Sequence, residues 1–280
     1  MSYYTVISPS TAAKQLHNPK WRFVDCRFSL ADTEAGRTAY ATAHLPNAYY
    51  AHLDDDLSGE ILPGQTGRHP LPEVEAMEQL FLSWGIEADT QVVVYDDKRG
   101  AIAARLWWML RYCGHRAVAV LDGGWTAWQA ADLPTTAYVP APGSSNFRAN
   151  VQHHWLQTAN DVATTAQQPG HLVDSRAARR YQGVEEPIDP VAGHIPGAIN
   201  LPFADNWDAA GKLRSPAALH SRFADLPSAE ETTFYCGSGV TACHNLLAVA
   251  HAGLGDARLY AGSWSDWITD PERGVATGEK

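Results

Sequence analysis

The residues TTFYCGSGVTACHNLLAVAHAG (232–253) contain the feature that decides the fold of this 280-residue chain. A short β-prone run, TTFY, ends immediately before Cys236, and a helical pattern follows that places Leu246 and Val249 on one face. Gly253 then stands where a helix commonly ends. The stretch predicts a strand, a sharp turn and a helix in direct succession.

The same arrangement occurs in the first half of the chain, as part of a duplication. Four pairs of words recur in the same order: FVDCR (23–27) with LVDSR (172–176), AHLPNA (43–48) with GHIPGA (193–198), VVVYDDKRGAIAA (92–104) with TTFYCGSGVTAC (232–243), and LDGGWTAW (121–128) with YAGSWSDW (260–267). The offset is 149 or 150 residues for the first two pairs and near 139 for the last two, so one loop is shorter in the second half. Four ordered matches indicate an internal repeat.

Short apolar runs alternate with helical patterns in both halves. This alternation predicts an α/β fold with two domains, each a parallel sheet flanked by helices on both faces. Between the halves, the stretch PTTAYVPAPGSSNFRAN (134–150) is rich in proline, serine, threonine and glycine, which is typical of an extended surface path. We place the boundary near residue 145, which gives domains at 1–144 and 145–280.

The composition argues against several classes of function. The chain has 31 acidic side chains against 21 Lys and Arg, a formal net charge of -10, so we expect no nucleic-acid partner. The opening residues lack a secretory signal and no apolar run reaches the length of a membrane span, so we expect a soluble cytoplasmic protein with no membrane partner. The four cysteines form no CxxC pair and no zinc-binding spacing with histidine, which argues against a metal site and a disulfide framework.

The turn after the TTFY run has the composition of an anion-binding loop. Its two glycines let backbone N–H groups converge without obstruction by a Cβ atom, and the following helix presents the positive end of its dipole. A thiolate at Cys236 would lie at the focus of these groups, so we expect this thiol to be acidic and nucleophilic. The residues expected to line the site around its sulfur are Gly237, Ser238, Gly239, Val240 and Thr241. The other three cysteines, Cys26, Cys113 and Cys243, are expected to be buried core residues.

The words CGSGVTAC, GHIPGA and DGGW/AGSW resemble those of tandem rhodanese-type sulfurtransferases, and the resemblance covers nearly the whole chain. It implies that Cys236 takes a sulfur atom from a small donor and passes it on as a persulfide, without a metal or an organic cofactor. The loop text is typical of 3-mercaptopyruvate sulfurtransferases, whereas thiosulfate-preferring members commonly carry a basic residue within the loop. Residues 237–240 contain none, which favours 3-mercaptopyruvate over thiosulfate as the donor. The acceptors implied are cyanide, a small thiol or thioredoxin.

The resemblance also implies roles for residues outside the loop. Arg180, in the word RYQG, would bind the donor carboxylate, although a surface ion pair is the alternative for any arginine. Relatives that prefer mercaptopyruvate usually carry a second arginine nine residues later, where this chain has Asp189. Asp54 and His69 resemble an Asp and a His near the loop serine, and with Ser238 they would form a proton relay.

The first half would be catalytically silent. At an offset of 139 residues, Asp97 occupies the position of Cys236, and a carboxylate cannot carry a transferable sulfur. This half would then cover the active cleft. His44 and His194 occur at the same place in both halves, which indicates a structural role.

Two other functions are alternatives for this chain. A tyrosine or dual-specificity phosphatase needs an arginine six residues after its cysteine, but that position after Cys236 is Ala242. A sulfur-carrier or binding module is the other alternative, because rhodanese-like domains without a working cysteine act as interaction units. The intact Cys236 argues against this second alternative.

Overall fold

The computed structural model describes residues 2–279 and divides into two compact units. The first unit comprises the chain up to Gly59, then Pro72–Gln152 and Ala210–Lys212. The second comprises Glu60–Leu71, His153–Ala209 and the chain from Leu213 onward. Residues 60–71 therefore belong to the second unit although they lie early in the sequence. The boundary near residue 145 stays a prediction.

The first unit contains a five-stranded parallel sheet with the strand order β1-β5-β4-β2-β3. The strands are β1 (Val6–Ile7), β2 (Trp21–Asp25), β3 (Ala48–Tyr50), β4 (Gln91–Tyr95) and β5 (Val118–Leu121). The helices are α1 (Pro9–Ala13), α2 (Ala35–Thr42), α3 (Val74–Ser83), α4 (Ala103–Tyr112) and α5 (Gly124–Ala130). Every residue of β4 and of α4 is buried, as expected for central elements of a parallel sheet and its covering layer.

The second unit contains a four-stranded parallel sheet with the order β7-β6-β8-β9. The strands are β6 (Leu172–Asp174), β7 (Ile199–Asn200), β8 (Thr233–Tyr235) and β9 (Arg258–Leu259). The helices are α6 (Ala159–Thr165), α7 (Ala178–Tyr181), α8 (Pro216–Arg222), α9 (Ala242–His251) and α10 (Ser263–Trp267). The predicted α/β fold with two parallel sheets is confirmed.

The internal repeat is visible in matching buried contacts. Arg27 binds Asp25 in the first unit, and Arg176 binds Asp174 in the second, each pair separated by 2.6 Å. His44 and His194 are both buried, and each donates a hydrogen bond from Nδ1–H to a backbone carbonyl oxygen, that of Tyr40 and that of Tyr181. Each also stacks on a tyrosine ring, so the predicted structural role of these histidines has direct support.

The turn and helix that follow β8 form as the sequence predicts. Helix α9 begins at Ala242, and its first eight residues are buried. Gly253 has a φ of 77° and donates its N–H to the Ala250 carbonyl, which ends the helix. Within residues 2–279, no helix is both long and apolar enough to cross a membrane.

Candidate active site

Cys236 lies directly after the last residue of β8 and is almost completely buried, with 2% of its surface exposed. Its backbone is fixed by the segment that starts α10. The Cys236 N–H donates to Ser263 Oγ at 3.0 Å, and the Cys236 carbonyl accepts from the Trp264 N–H at 3.0 Å. The Gly237 carbonyl accepts from the Ser265 N–H at 2.9 Å. Residues 263–265, in and directly after the AGSW motif, thus hold the loop that follows Cys236 in place.

The loop folds tightly because Gly239 adopts a backbone conformation that other residues avoid. Its φ is 75°, and a Cβ atom at this position would lie 2.2 Å from the Ala261 carbonyl oxygen. Both the torsion and the close approach require glycine. The tight fold points loop amides toward the Cys236 sulfur.

The pKa of the Cys236 thiol lies below its ordinary value. Burial alone would raise this pKa, but hydrogen bonds to the sulfur outweigh the effect of burial. The donors are the Thr241 hydroxyl and the backbone N–H groups of Ser238, Ala242 and Gly239. The site therefore favours a thiolate, the nucleophilic form of cysteine.

Ser238 and His69 are in direct contact. The Ser238 hydroxyl lies 2.7 Å from His69 Nδ1, and both side chains are buried. His69 belongs to residues 60–71 of the second unit. That segment is fixed to the loop support, because the Arg68 N–H donates to Ser265 Oγ at 3.1 Å.

Asp54, the third member of the predicted relay, lies in the first unit. Its backbone N–H donates to His52 Nδ1 at 3.3 Å, and burial raises the pKa of its carboxyl. Its part in a relay stays a prediction.

Arg180 lies beside the loop and is held by two carboxylates. Its guanidinium donates to both oxygens of Glu186, and its Nη2 lies 3.1 Å from Asp189 Oδ2. A Cβ atom on Gly237 would lie 3.4 Å from Arg180 Nη2 and 3.5 Å from Nη1. The neighbouring Arg179 is instead exposed and paired with Glu185, as expected of a surface arginine.

Arg68 is a site residue that the sequence reasoning missed. Its Nη1 pairs with Asp189 Oδ1, and its Nη2 lies 3.0 Å from the position of a Cβ atom on Gly237. Two arginines therefore border the loop, although position 189 carries an aspartate. The available signal was the adjacent residue, because Arg68 directly precedes His69.

The remaining predicted residues of the loop have clear places. Val240 is buried beside the sulfur-bearing loop, and Thr241 precedes the first residue of α9. Cys26, Cys113 and Cys243 are free and buried, as expected. Burial raises the pKa of Cys26 well above its ordinary value and that of Cys113 to about 12. The lowered pKa of Cys236 stands against the raised values of Cys26 and Cys113.

The matching turn of the first unit carries a carboxylate, but not the one that the sequence pairing indicated. Asp96, rather than Asp97, directly follows β4, and its carbonyl accepts from the Trp125 N–H as that of Cys236 does from Trp264. Asp97 is exposed. The offset is 140 residues between Asp96 and Cys236 but 139 between the first residues of α4 and α9, because the first turn is one residue longer.

The two halves also match known sequences. A model described as the rhodanese-like domain matches residues 8–131 and again residues 158–270. The chain belongs to the rhodanese family. Its internal repeat thus consists of two rhodanese-like domains, and the predicted family is confirmed.

Individual relatives of this rhodanese chain carry two kinds of name. This chain is 45% identical over 284 residues to a probable 3-mercaptopyruvate sulfurtransferase of Pseudomonas aeruginosa, and the match covers all of both chains. It is 39% identical to a putative thiosulfate sulfurtransferase of Mycobacterium tuberculosis, covering 91% of this chain and 90% of that one. The crystal structure of SseA from Escherichia coli, a 3-mercaptopyruvate sulfotransferase by its description, superimposes with a TM-score of 0.79 at 26% identity, covering 94% of this chain and all of that one.

Proposed function

We propose that this rhodanese is a 3-mercaptopyruvate sulfurtransferase that works through a persulfide on Cys236. The observation that carries the proposal is the Cys236 sulfur itself, which is buried and surrounded by hydrogen-bond donors that lower its pKa. The names of the most similar relatives support a sulfurtransferase, and the absence of a basic residue from positions 237–240 supports mercaptopyruvate as the donor.

The first half-reaction moves one sulfur atom and no net charge. The Cys236 thiolate attacks the donor's thiol sulfur, a sulfur–sulfur bond forms, and the carbon–sulfur bond breaks. The bonding electrons go to carbon, which gives the enolate of pyruvate. The proton of the donor thiol ends on that carbon, so pyruvate leaves and Cys236 retains a persulfide anion.

The same loop amides that favour the thiolate would stabilise the persulfide anion, because the negative charge stays at the focus of the donors. In the second half-reaction, cyanide, a small thiol or thioredoxin attacks the outer sulfur. The sulfur–sulfur bond breaks, and its electrons return to Cys236 as a thiolate. The cycle needs no cofactor.

Ser238 and His69 are proposed to handle the proton. Their contact of 2.7 Å links a hydroxyl beside the loop to an imidazole, a pair that can stabilise the developing enolate oxygen and return a proton to carbon. Arg180 is proposed to bind the donor carboxylate. Its Nη1 has no hydrogen-bond partner among residues 2–279 and is oriented near Gly237, so it retains a donor for substrate.

We further propose that the enzyme acts in the cytoplasm. None of the four cysteines forms a disulfide, and the reaction requires that Cys236 remain reduced between turnovers. A reducing compartment supplies that condition.

The proposal is tested by comparing kcat/KM for 3-mercaptopyruvate and thiosulfate with cyanide as acceptor, together with the protein mass after each donor. We expect one added sulfur at Cys236 and a clear preference for mercaptopyruvate. A preference for thiosulfate would contradict the donor but not the persulfide. No added sulfur from either donor would contradict the sulfurtransferase mechanism and favour a binding module.

A further inference from the structure

Next to the active loop, charged side chains form an alternating chain of ion pairs. Three arginines alternate with three carboxylates, in the order Asp174, Arg176, Glu186, Arg180, Asp189 and Arg68. The three positive and three negative groups cancel. The chain of ion pairs therefore brings two guanidinium groups to Gly237 without an excess of positive charge.

Asp189 is the member of this chain that joins the two arginines of the site. Its side chain is 2% exposed, with Oδ1 paired to Arg68 and Oδ2 at 3.1 Å from Arg180. One buried carboxylate thus both positions the two guanidiniums and neutralises one of them. Its removal would leave one uncompensated positive charge near the sulfur.

Both arginines keep donors that the ion pairs do not use. Arg68 Nε is buried without a hydrogen-bond partner in the described part of the chain, and its Nη2 lies beside Gly237. Arg180 Nη1 lies beside the same residue. An anion above the loop would meet donors from two directions, in the geometry that suits a carboxylate or another oxyanion.

We propose that Asp189 sets the charge of the donor, so that the site accepts a monoanion in preference to a dianion. With Asp189 in place, the chain of ion pairs carries no net charge and so compensates none of the donor's charge. A dianion then meets about twice the repulsion from the thiolate that a monoanion meets. The proposal rests on the proposed function for the two donors compared, 3-mercaptopyruvate with one carboxylate and dianionic thiosulfate. It makes an aspartate in the substrate region a determinant of specificity.

The first test is the variant Asp189→Asn, which keeps the shape of the side chain and removes its charge. We expect the ratio of kcat/KM for thiosulfate over mercaptopyruvate to rise about tenfold, chiefly through a lower KM for thiosulfate, because a nearby charge commonly changes binding by that order. The control is Glu185→Gln, which removes an exposed carboxylate from the same segment. We expect this control to leave the ratio unchanged.

The second test needs no sulfur donor. The rate of alkylation of Cys236 is measured with iodoacetate, an anion, and with iodoacetamide, which is neutral, and the ratio of the two rates reports the charge near the sulfur. We expect Asp189→Asn to raise this ratio and Arg68→Gln to lower it, each at least about threefold. Thermal unfolding and the mass of the labelled peptide verify that the variants are folded and labelled at Cys236.

The outcomes separate the two proposals. If wild type gains no sulfur from either donor, the proposed function fails, while the alkylation ratios still test Asp189. Unchanged alkylation ratios in folded Asp189→Asn and Arg68→Gln proteins would overturn the charge assignment. A raised alkylation ratio together with an unchanged donor ratio would overturn the role in specificity.

Discussion

The turn after β4 holds a carboxylate, whereas the turn after β8 holds a thiol, and both side chains are buried within the same kind of loop. Asp96 accepts four backbone hydrogen bonds of 2.8 Å, two at each oxygen. The Cys236 sulfur receives three backbone N–H groups and one hydroxyl. The same kind of turn thus binds a carboxylate in the first unit and lowers the pKa of a thiol in the second.

The difference shows that the loop amides have different effects in the two units. In the first unit the donors are saturated by a side chain that forms no persulfide, so the loop contributes stability. In the second unit the sulfur can accept a second atom while its charge stays within reach of the donors. The two turns thus share their loop amides and differ in the atom that the amides bind.

The largest effect is expected when Cys236 in the second turn is replaced by aspartate, the residue that the first turn carries as Asp96. Cys236→Asp should lose sulfur transfer by at least about 10³-fold, because the covalent nucleophile is gone. The carboxylate should bind the loop amides, so thermal unfolding should remain close to that of the Cys236→Ser control. Retained transfer in either variant would show that another group carries the sulfur.

The next effect concerns stability in the first unit. Asp96→Ala leaves four N–H groups without their acceptor, two of them on buried residues, and should lower the free energy of unfolding by about 3 kcal/mol. The matched control is the exposed neighbour, and Asp97→Ala should change it by less than about 0.5 kcal/mol. Urea unfolding measures both. A larger loss for Asp97→Ala would restore the pairing that the sequence offset indicated.

A smaller effect tests the hydroxyl that the second turn carries. Ser238→Ala should lower kcat for mercaptopyruvate about 10- to 100-fold, because it removes the contact with His69 but leaves the Ser238 amide on the sulfur. The rate at which iodoacetamide labels Cys236 should stay within a factor of about two, since the variant keeps the Thr241 hydroxyl and the loop amides that lower the pKa of the thiol. If labelling and turnover fall together, Ser238 acts on the thiolate and the relay is wrong.

The smallest expected effect concerns the one hydrogen-bond donor by which the two turns differ. The residue directly before the first alanine of the helix differs between the two turns. Ile102 donates only its backbone N–H to Asp96, whereas Thr241 donates its hydroxyl to the Cys236 sulfur. Thr241→Val should raise the pKa of Cys236, because the sulfur loses the hydroxyl as a hydrogen-bond donor, so labelling by iodoacetamide at neutral pH should fall by up to about tenfold. The pH profile of labelling should move to higher pH, because the thiolate then forms later. An unchanged profile would assign the lowered pKa to the amides alone.

Much of this fold could be predicted from the sequence, because the repeated sequence motifs correspond to contacts that occur in both units. The strand runs, the glycine turn and the end of α9 at Gly253 follow from local patterns, and so does the prominence of Cys236. Arg68 could not be found in this way, since its partner Asp189 lies 121 residues away and no local pattern joins them. The sequence offset points to Asp97 rather than Asp96, because an offset measured on the helix side of a turn fails on the strand side when the turn gains a residue.

The assignment of residues 60–71 to the second unit has a consequence for the history and the handling of this gene. The segment brings Arg68 and His69 to a unit whose other residues begin at 153, so the two repeats no longer correspond to two transferable pieces of sequence. A fragment that starts at the linker would encode the cysteine without the histidine that contacts its loop serine. An exchange of such a fragment between relatives would leave Arg68 and His69 behind.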